Sequence, residues 1–543
     1  MKRASTAPVL VWLAVILGLF GGVSLLKGGF YLGKHEGDTL HLAELVLRMA
    51  GGEWPHLDFM TPIGVLAIAP IAWFVGQGAG LGHAIFYAQL AVGLILLPAV
   101  LRVAVSRFGG LWSYAYGAFV MILCVALVHG ESQSATSISM HYNRWAWAIA
   151  YVVVPLAVLA PLGRARPWLD GALIGLGMAA LVLTKVTYFV ALAPGVLIVL
   201  LARRNWSMLA AAVLAGLAVA AAMTLAAGPA FWLAYLGDLR TVAGSDIRAQ
   251  PGEGFGQVVA APPYMGASLT LVAAVILLRQ AGRSVEGMAL LFLMPGFFYI
   301  AFQNFGNDPQ WLLLLAFMVF ALLPAPGTRS GGGRDLRDGL RITGVLALAF
   351  AAPSAINLAY SPFRHLAAET DKTLPLLPGP VGRDIFTGQS RLYRVDFLRS
   401  GDGPDTPFAA YRERGEREYE AVLNGEVLPE CVLESGMNAW FEVVARDLEA
   451  NGYKGRAILG TDLFSLYWAF GDFRPVRGSA PWYYGGLSGV ENADFVVVPL
   501  CPMAAQIRAG MLKSFAAEGW TLTEVRRTDL YVLVTAKRPD SQR

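Results

Sequence analysis

Long apolar runs dominate the chain, and the short polar stretches between them hold most of its titratable residues. Runs of roughly bilayer length, ~16–25 residues, fall near 8–26, 84–101, 111–129, 145–161, 168–184 and 186–202, and again near 207–233, 264–279, 287–302, 310–324 and 342–359. Each predicts a membrane-spanning helix. One apolar piece is left over, "PIGVLAIAPIAWFV" at 62–75. It is short and holds two prolines, which suits a re-entrant or interfacial segment better than a crossing. After Tyr360 the pattern changes to that of a soluble domain. "GMNAWFEVVARDLEANG" predicts a helix stopped by glycine, and "RAILG" and "ADFVVVPL" predict strands. "MAAQIRAGMLKSFAAEG" predicts a second helix, and "WTLTEVRRTDLYVLVTAK" a closing hairpin. The expected architecture is a polytopic α-helical membrane domain of about eleven spans, 1–360, followed by an α/β domain, 361–543.

Composition agrees with a membrane-embedded chain. Of 543 residues 56% are hydrophobic and only 15% charged, against roughly 25% charged in soluble domains. The net charge of +4 is spread thinly, with no dense basic patch, so nucleic acid is excluded as a partner. The start, "MKRASTAPVLVWLAVILGLFGGVSLL", is basic and then apolar but has no small-x-small cleavage site, so it reads as an uncleaved first span.

Charge placement orients the helices. With the N-terminus cytoplasmic and 62–75 dipping in and returning, Arg102, Arg107, Arg164, Arg166, Arg203, Arg204, Arg279, Arg283, Arg329, Arg334, Arg337 and Arg341 all fall in cytoplasmic loops. A full crossing at 62–75 would put all of them outside. The first arrangement leaves 361–543 outside, which in a bacterium means the periplasmic face of the inner membrane. There Cys431 and Cys501 are able to pair. The loops 27–60, 130–144, 237–263 and 303–309 then also face outward.

These outer loops supply the candidate residues. "HEGDTLHLAELVLRMAGGEWPHLDFMTP" at 35–62 opens with Glu36 and Asp38 and continues as an amphipathic helix. Glu44, Arg48 and Glu53 are expected on its solvated face. Asp38 reads as either an N-cap or a general base at the mouth of a cavity. His35, His41 and His56 match no zinc spacing. The second loop ends in His141-Tyr142-Asn143-Arg144, and an outward arginine suits an anionic phosphate. Lys185 interrupts a continuous apolar run at the outer turn between two spans. Lysine there is costly and marks either a functional cation or an interfacial anchor. Asp238 reads as part of a solvated third loop. "QNFGNDPQW" gathers Gln303, Asn304 and Asp308, a set suited to sugar hydroxyls or to helix capping. The aromatic-rich "YWAFGDFRPVRGSAPWYYGG" packs a core or stacks on sugars.

The sequence resembles a family at this point. A first span, an acidic outer loop with an amphipathic helix and then "GGEWPHLDFMTPIG" resemble the first outer loop of GT-C-class glycosyltransferases. Those multi-span enzymes use polyprenyl-phosphate-linked sugars and include lipid A aminoarabinose transferases and protein O-mannosyltransferases. The likeness is best at 30–64, 130–145 and around Lys185. It implies a sugar donor on a membrane lipid phosphate and a glycan, lipid or protein acceptor at the periplasmic face. It also implies an inverting displacement with Asp38 or Glu36 as base, Lys185 and Arg144 at the phosphate, and Tyr142, Asn143, Gln303, Asn304, Asp308, His56 and Asp58 around the substrates. The family commonly has adjacent acids at the helix start, whereas Gly37 separates them here. No motif demands a cofactor, and a divalent metal stays open, with Glu131 the second-loop acid that matches metal-dependent members. The competing readings are a lipid or sugar transporter or scramblase, and a non-catalytic membrane subunit.

Overall fold

The computed structural model describes residues 3–130, 134–245, 256, 262–304, 310–403, 406–415 and 419–538. A helix occupies each of the eleven apolar runs. Among the described residues, six of them are long and apolar enough to cross a membrane: α1 (Thr6–Leu25), α4 (Leu81–Arg107), α7 (Pro167–Thr184), α9 (Trp206–Ala227), α12 (Ser284–Gln303) and α14 (Leu336–Leu366). Shorter apolar helices fill in beside them, among them α5 (Leu111–Val125), α8 (Val186–Ala202), α11 (Pro262–Gln280) and α13 (Gln310–Ala321). Helix α6 (His141–Val158) lies at the centre, with every residue but Tyr142 buried. An apolar sequence on all sides of a helix leaves no face for water. The inner helices here meet neighbours all round, whereas α9 presents Val213, Leu214, Leu217 and Leu225 outward.

The basic residues gather at one end of this bundle. Arg102 and Arg107, on the last turns of α4, both bind the buried carboxylate of Asp170, at 2.8 and 2.7 Å. Arg203 at the end of α8 pairs with Glu286 at the start of α12 at 2.9 Å. Several basic residues that the charge bias assigns to one side thus share an end.

The opposite end is capped by the C-terminal region. Strand β1 (Phe30–Tyr31), just after α1, pairs in parallel with β3 (Ile385–Gly388), which also pairs with β2 (Thr373–Pro375). The C-terminal α/β unit follows the expected elements. Its mixed sheet has the order β6-β7-β5-β4, built from β4 (Ile458–Gly460), β5 (Phe495–Pro499), β6 (Thr521–Arg527) and β7 (Tyr531–Lys537). Its helices Met437–Ala450 and Ala505–Ala517 lie where the sequence placed them. Cys431 and Cys501 form a disulfide.

Three elements differ from expectation. Helix α2 (Glu36–Ala50) is amphipathic as predicted, but its polar face is not solvated. Glu44 and Arg48 are each only 2% exposed, because the C-terminal region packs over them. Arg48 donates to Ser479 Oγ at 3.0 Å and to the Val476 carbonyl at 3.0 Å, and Trp468 donates to Glu44 at 3.2 Å. Periodicity reveals a polar face, not what covers it. Second, the span drawn at 207–233 ends at Ala227, and α10 (Ala230–Ala243) occupies part of the predicted third loop. Third, α14 continues to Leu366, past the expected domain boundary. The piece at 62–75 forms α3 (Val65–Gly76), of 12 residues. The Gly64 amide, just before it, donates to Thr184 O, and Leu81 just after its turn donates to Val381 O. Helix α3 therefore begins and ends on the face that the C-terminal region covers.

Candidate active-site cleft

The start of α2 is held by the second loop. His35, at φ 63°, precedes the helix, so Asp38 sits in its first turn rather than at the cap. An acid in the first turn is favoured by the helix dipole. The Ser139 hydroxyl donates to Asp38 Oδ2 at 2.6 Å. Ser137 Oγ lies 3.0 Å from His35 Nδ1 and accepts from the Ser139 amide at 3.1 Å. Thr136 donates to the Tyr31 carbonyl at 2.7 Å. The small hydroxyl residues of "SATSIS" are thus the polar joint between the two outer loops. His129 Nε2 lies 3.0 Å from Met140 Sδ.

Asp38 lines a narrow cleft of about 30 Å³, room for about one water molecule. Its walls are His41, Leu42 and Leu45 from α2, Ile63 and Ile68 around the start of α3, and Ile138 to Tyr142 from the second loop. The roof is Trp482 and Tyr484 from the C-terminal region.

The chain matches no protein-family model, no curated protein and no solved structure. What the arrangement is able to do must therefore be read from its geometry.

Tyr142 connects the cleft to Lys185. The ammonium of Lys185 lies 4.9 Å above the Tyr142 ring, within reach of its negative face. Lys185 occupies the extended break between α7 and α8, at φ −154° and ψ 98°. The break is fixed by Gly64, where a Cβ would come within 2.2 Å of the Leu183 carbonyl. Only glycine lets the "MTPIG" backbone lie this close to the end of α7. Below Lys185, α7, α8 and α9 enclose a broad groove lined almost wholly by apolar side chains, from Ile174 and Leu200 up to Val182, Leu183 and Phe189, with Trp232 at its side.

The other predicted residues are distributed as follows. Glu36 turns away from Asp38 and binds Arg391 of the C-terminal region at 2.8 Å, so the two acids face different grooves. Arg144 is 1% exposed and donates to the carbonyls of Val128 and Ser139, supporting the segment that carries the partner of Asp38. Asn143 donates to Asn304 at 2.8 Å in the buried bundle, with Gln303 alongside in sequence. His56 lies 2.8 Å from Asp238 and stacks on Tyr235 at 4.2 Å. Burial holds the Asp238 carboxyl above its usual range despite that histidine, and Asp238 also accepts from the Thr61 amide at 3.1 Å. Asp238 is thus no solvated loop residue but the anchor of the turn before α3. Asp58 accepts from the Trp54 amide at 2.9 Å and faces Arg477 at 3.3 Å. Neither His56 nor Asp58 lines the Asp38 cleft. Asp308 and Glu131 lie outside the described residues. Among the described residues no three His, Cys, Asp or Glu side chains cluster to hold a metal ion.

Sequence reasoning missed His41 as a cleft residue, and it read Trp482 and Tyr484 only as part of an aromatic stretch that packs a core or stacks on sugars. The density of aromatics in "APWYYGG" was the available signal.

Proposed function

We propose that this protein is an integral-membrane glycosyltransferase that moves a sugar from a polyprenyl-phosphate carrier to a nucleophilic acceptor at the outer face. The observation that carries this reading is that Tyr142 lines the Asp38 cleft and lies under Lys185, which stands two residues beyond Leu183 of an apolar groove open to the side of the bundle. Each part suits one part of the reaction. The groove accommodates an isoprenoid tail arriving from the bilayer. Lys185 sits at its upper end, where a lipid phosphate comes to rest, and a cation in a low-dielectric setting stabilises the charge that develops on that leaving group. Asp38, beyond Tyr142, takes the proton from the acceptor nucleophile as its lone pair attacks the anomeric carbon. The bond from that carbon to phosphate oxygen breaks, the phosphate leaves with the bonding pair, and the configuration inverts. Ser139 holds the carboxylate in place without neutralising it.

The Cys431–Cys501 disulfide supports the side. Disulfides persist in oxidising compartments, and in a bacterium the outer face of the inner membrane is one. The resemblance of the first outer loop to GT-C-class enzymes agrees with the same chemistry, and the retreat of Glu36 to Arg391 favours Asp38 over it as the base. The test is to delete the gene and profile lipid-linked sugars and envelope glycans, with wild type and Asp38→Asn supplied back. A lipid-linked sugar should accumulate in the deletion and in Asp38→Asn, and clear with wild type. Unchanged lipid-linked sugars in the deletion would refute the assignment.

A further inference from the structure

Helix α10 follows α9 after a tight turn at Gly228, φ 81°, and folds back onto the outer end of α7. Trp232 Nε1 ties it to α9 by donating to Thr224 Oγ1 at 2.8 Å. One turn on from Phe231, Tyr235 is 3% exposed, and its hydroxyl donates to the Val182 carbonyl of α7 at 2.8 Å. In a continuous helix that carbonyl would accept from the amide of Val186, four residues on. Lys185 stands at ψ 98° rather than the helical value of about −42°, which turns the Val186 amide away. The break therefore leaves carbonyls of the last α7 turn in need of other donors. Tyr235 supplies one. The Gly64 amide supplies another, to Thr184 O at 3.2 Å.

One polar cluster backs both donors. The Tyr235 ring stacks on His56 at 4.2 Å, and Phe231 meets the same imidazole edge-on at 5.3 Å. His56 Nδ1 lies 2.8 Å from Oδ2 of Asp238, three residues beyond Tyr235 on α10. That oxygen also accepts from the Thr61 amide at 3.1 Å, and Thr61 Oγ1 accepts from the Ile63 amide at 3.2 Å. The cluster thus joins α10 to the segment that ends in Gly64, so the two donors to the break are held as one piece. Leu183 packs beside Val65 and Phe231 in an apolar cluster with Val182 against it, where a carbonyl without a donor is costly.

Resting on the transferase reading above, we infer that Tyr235 is a positioning residue for Lys185. Its hydroxyl fixes the α7–α8 break and so keeps the ammonium over the Tyr142 ring, at the place the carrier phosphate occupies. Tyr235 touches neither substrate and acts only through the lysine. His56 and Asp238 hold its ring and its helix in register with Gly64, which gives both a task away from the Asp38 cleft.

The experiment uses full-length protein in lipid bilayers and Tyr235→Phe, which removes the hydroxyl and keeps the ring on His56. Amide hydrogen exchange reads the break without turnover. It should speed up about tenfold across residues 182–187, the size of one lost hydrogen bond, and stay as in wild type over the rest of α7 and α8. Transfer is then measured with lipid-linked sugars from the deletion strain as donor and envelope fractions of that strain as acceptor. The half-saturating donor concentration should rise about tenfold in Tyr235→Phe. In a Lys185→Met background the same change should have no further effect, because no ammonium is left to place. A merely structural tyrosine would cost as much in either background. Unchanged exchange at 182–187, or equal losses in the two backgrounds, would overturn the inference and leave the transferase reading standing. No transfer by wild type to any envelope fraction would sink the transferase reading, and the donor role of Tyr235 with it.

Discussion

The Ser139 hydroxyl donates to the Asp38 carboxylate at 2.6 Å across 101 positions of sequence. This bond joins the first two outer loops at the point where the proposed chemistry takes place. It also separates the two residues experimentally. Asp38→Asn keeps the size and the partner but cannot take a proton, so transfer should fall by roughly 10²–10⁴-fold with donor binding retained. Ser139→Ala leaves the base in place and removes one hydrogen bond to a charge. The loss should be nearer tenfold. Equal losses in the two variants, measured as initial rates in proteoliposomes, would mean that Asp38 is only a structural partner of the second loop.

Lys185 is predicted to act on the donor alone. Lys185→Met removes the charge aimed at the phosphate and should raise the half-saturating donor concentration at least tenfold, while Lys185→Arg keeps the charge and the stacking on Tyr142. A fully active Lys185→Met would reduce the lysine to an interfacial anchor.

Sidedness is testable through the disulfide. In intact cells Cys431 and Cys501 should resist a membrane-impermeant maleimide until reductant is added, and then react. A single cysteine at Arg334 should stay unlabelled throughout. Labelling at Arg334 alone would invert the topology. Changing both Cys431 and Cys501 to Ser opens a bridge across 70 residues and should cost about 2–5 kcal/mol in the C-terminal unit, read as a lowered thermal midpoint.

Arg48 is buried between the membrane bundle and the C-terminal region, 3.8 Å from Glu44 and 2.5 Å from Glu53. Burial raises the Glu44 carboxyl and Arg48 works against that. Arg48→Ala would leave Glu44 without its cation in the same buried place, a loss of order 3–5 kcal/mol. The C-terminal region should become sensitive to limited proteolysis in Arg48→Ala and not in Arg477→Ala, whose side chain is mostly exposed. Equal resistance in the two would show that α2 does not hold the region down.

The C-terminal unit should also show a defined pH dependence. Asp462 is buried and accepts from the amides of Leu463, Met503 and Ala504 at 2.7, 2.7 and 3.0 Å. Burial still pushes its carboxyl up from 3.8 to about 6. The folded value lies above the unfolded one, so the stability this group contributes is full below about pH 4 and lost as the pH rises through about 6. The stability of wild type relative to Asp462→Asn should fall across that window and level off above pH 7. A difference that is constant with pH would mean that Asp462 does not titrate there.

The sequence alone determined the helices, because runs of apolar residues at bilayer length have no other stable conformation in lipid. It also marked Asp38 and Lys185 as outliers, since charge next to apolar sequence is costly enough to show in one dimension. It placed the elements of the C-terminal unit by their period and by their glycine stops. The tertiary structure decided what each polar face meets. Glu44 and Arg48 read as solvated until the C-terminal region covered them, Asp238 read as a loop residue until His56 bonded to it, and Asp38 was set apart from Glu36 only by the firmer hold of the helix start until Arg391 took one and Ser139 the other. Those partners lie between 101 and 424 positions away in most cases. Periodicity reports only which way a side chain points from its own helix or strand. The group that lies in that direction is set by how the chain returns, and so the roof of Trp482 and Tyr484 over Asp38 was visible in the sequence only as a density of aromatic residues.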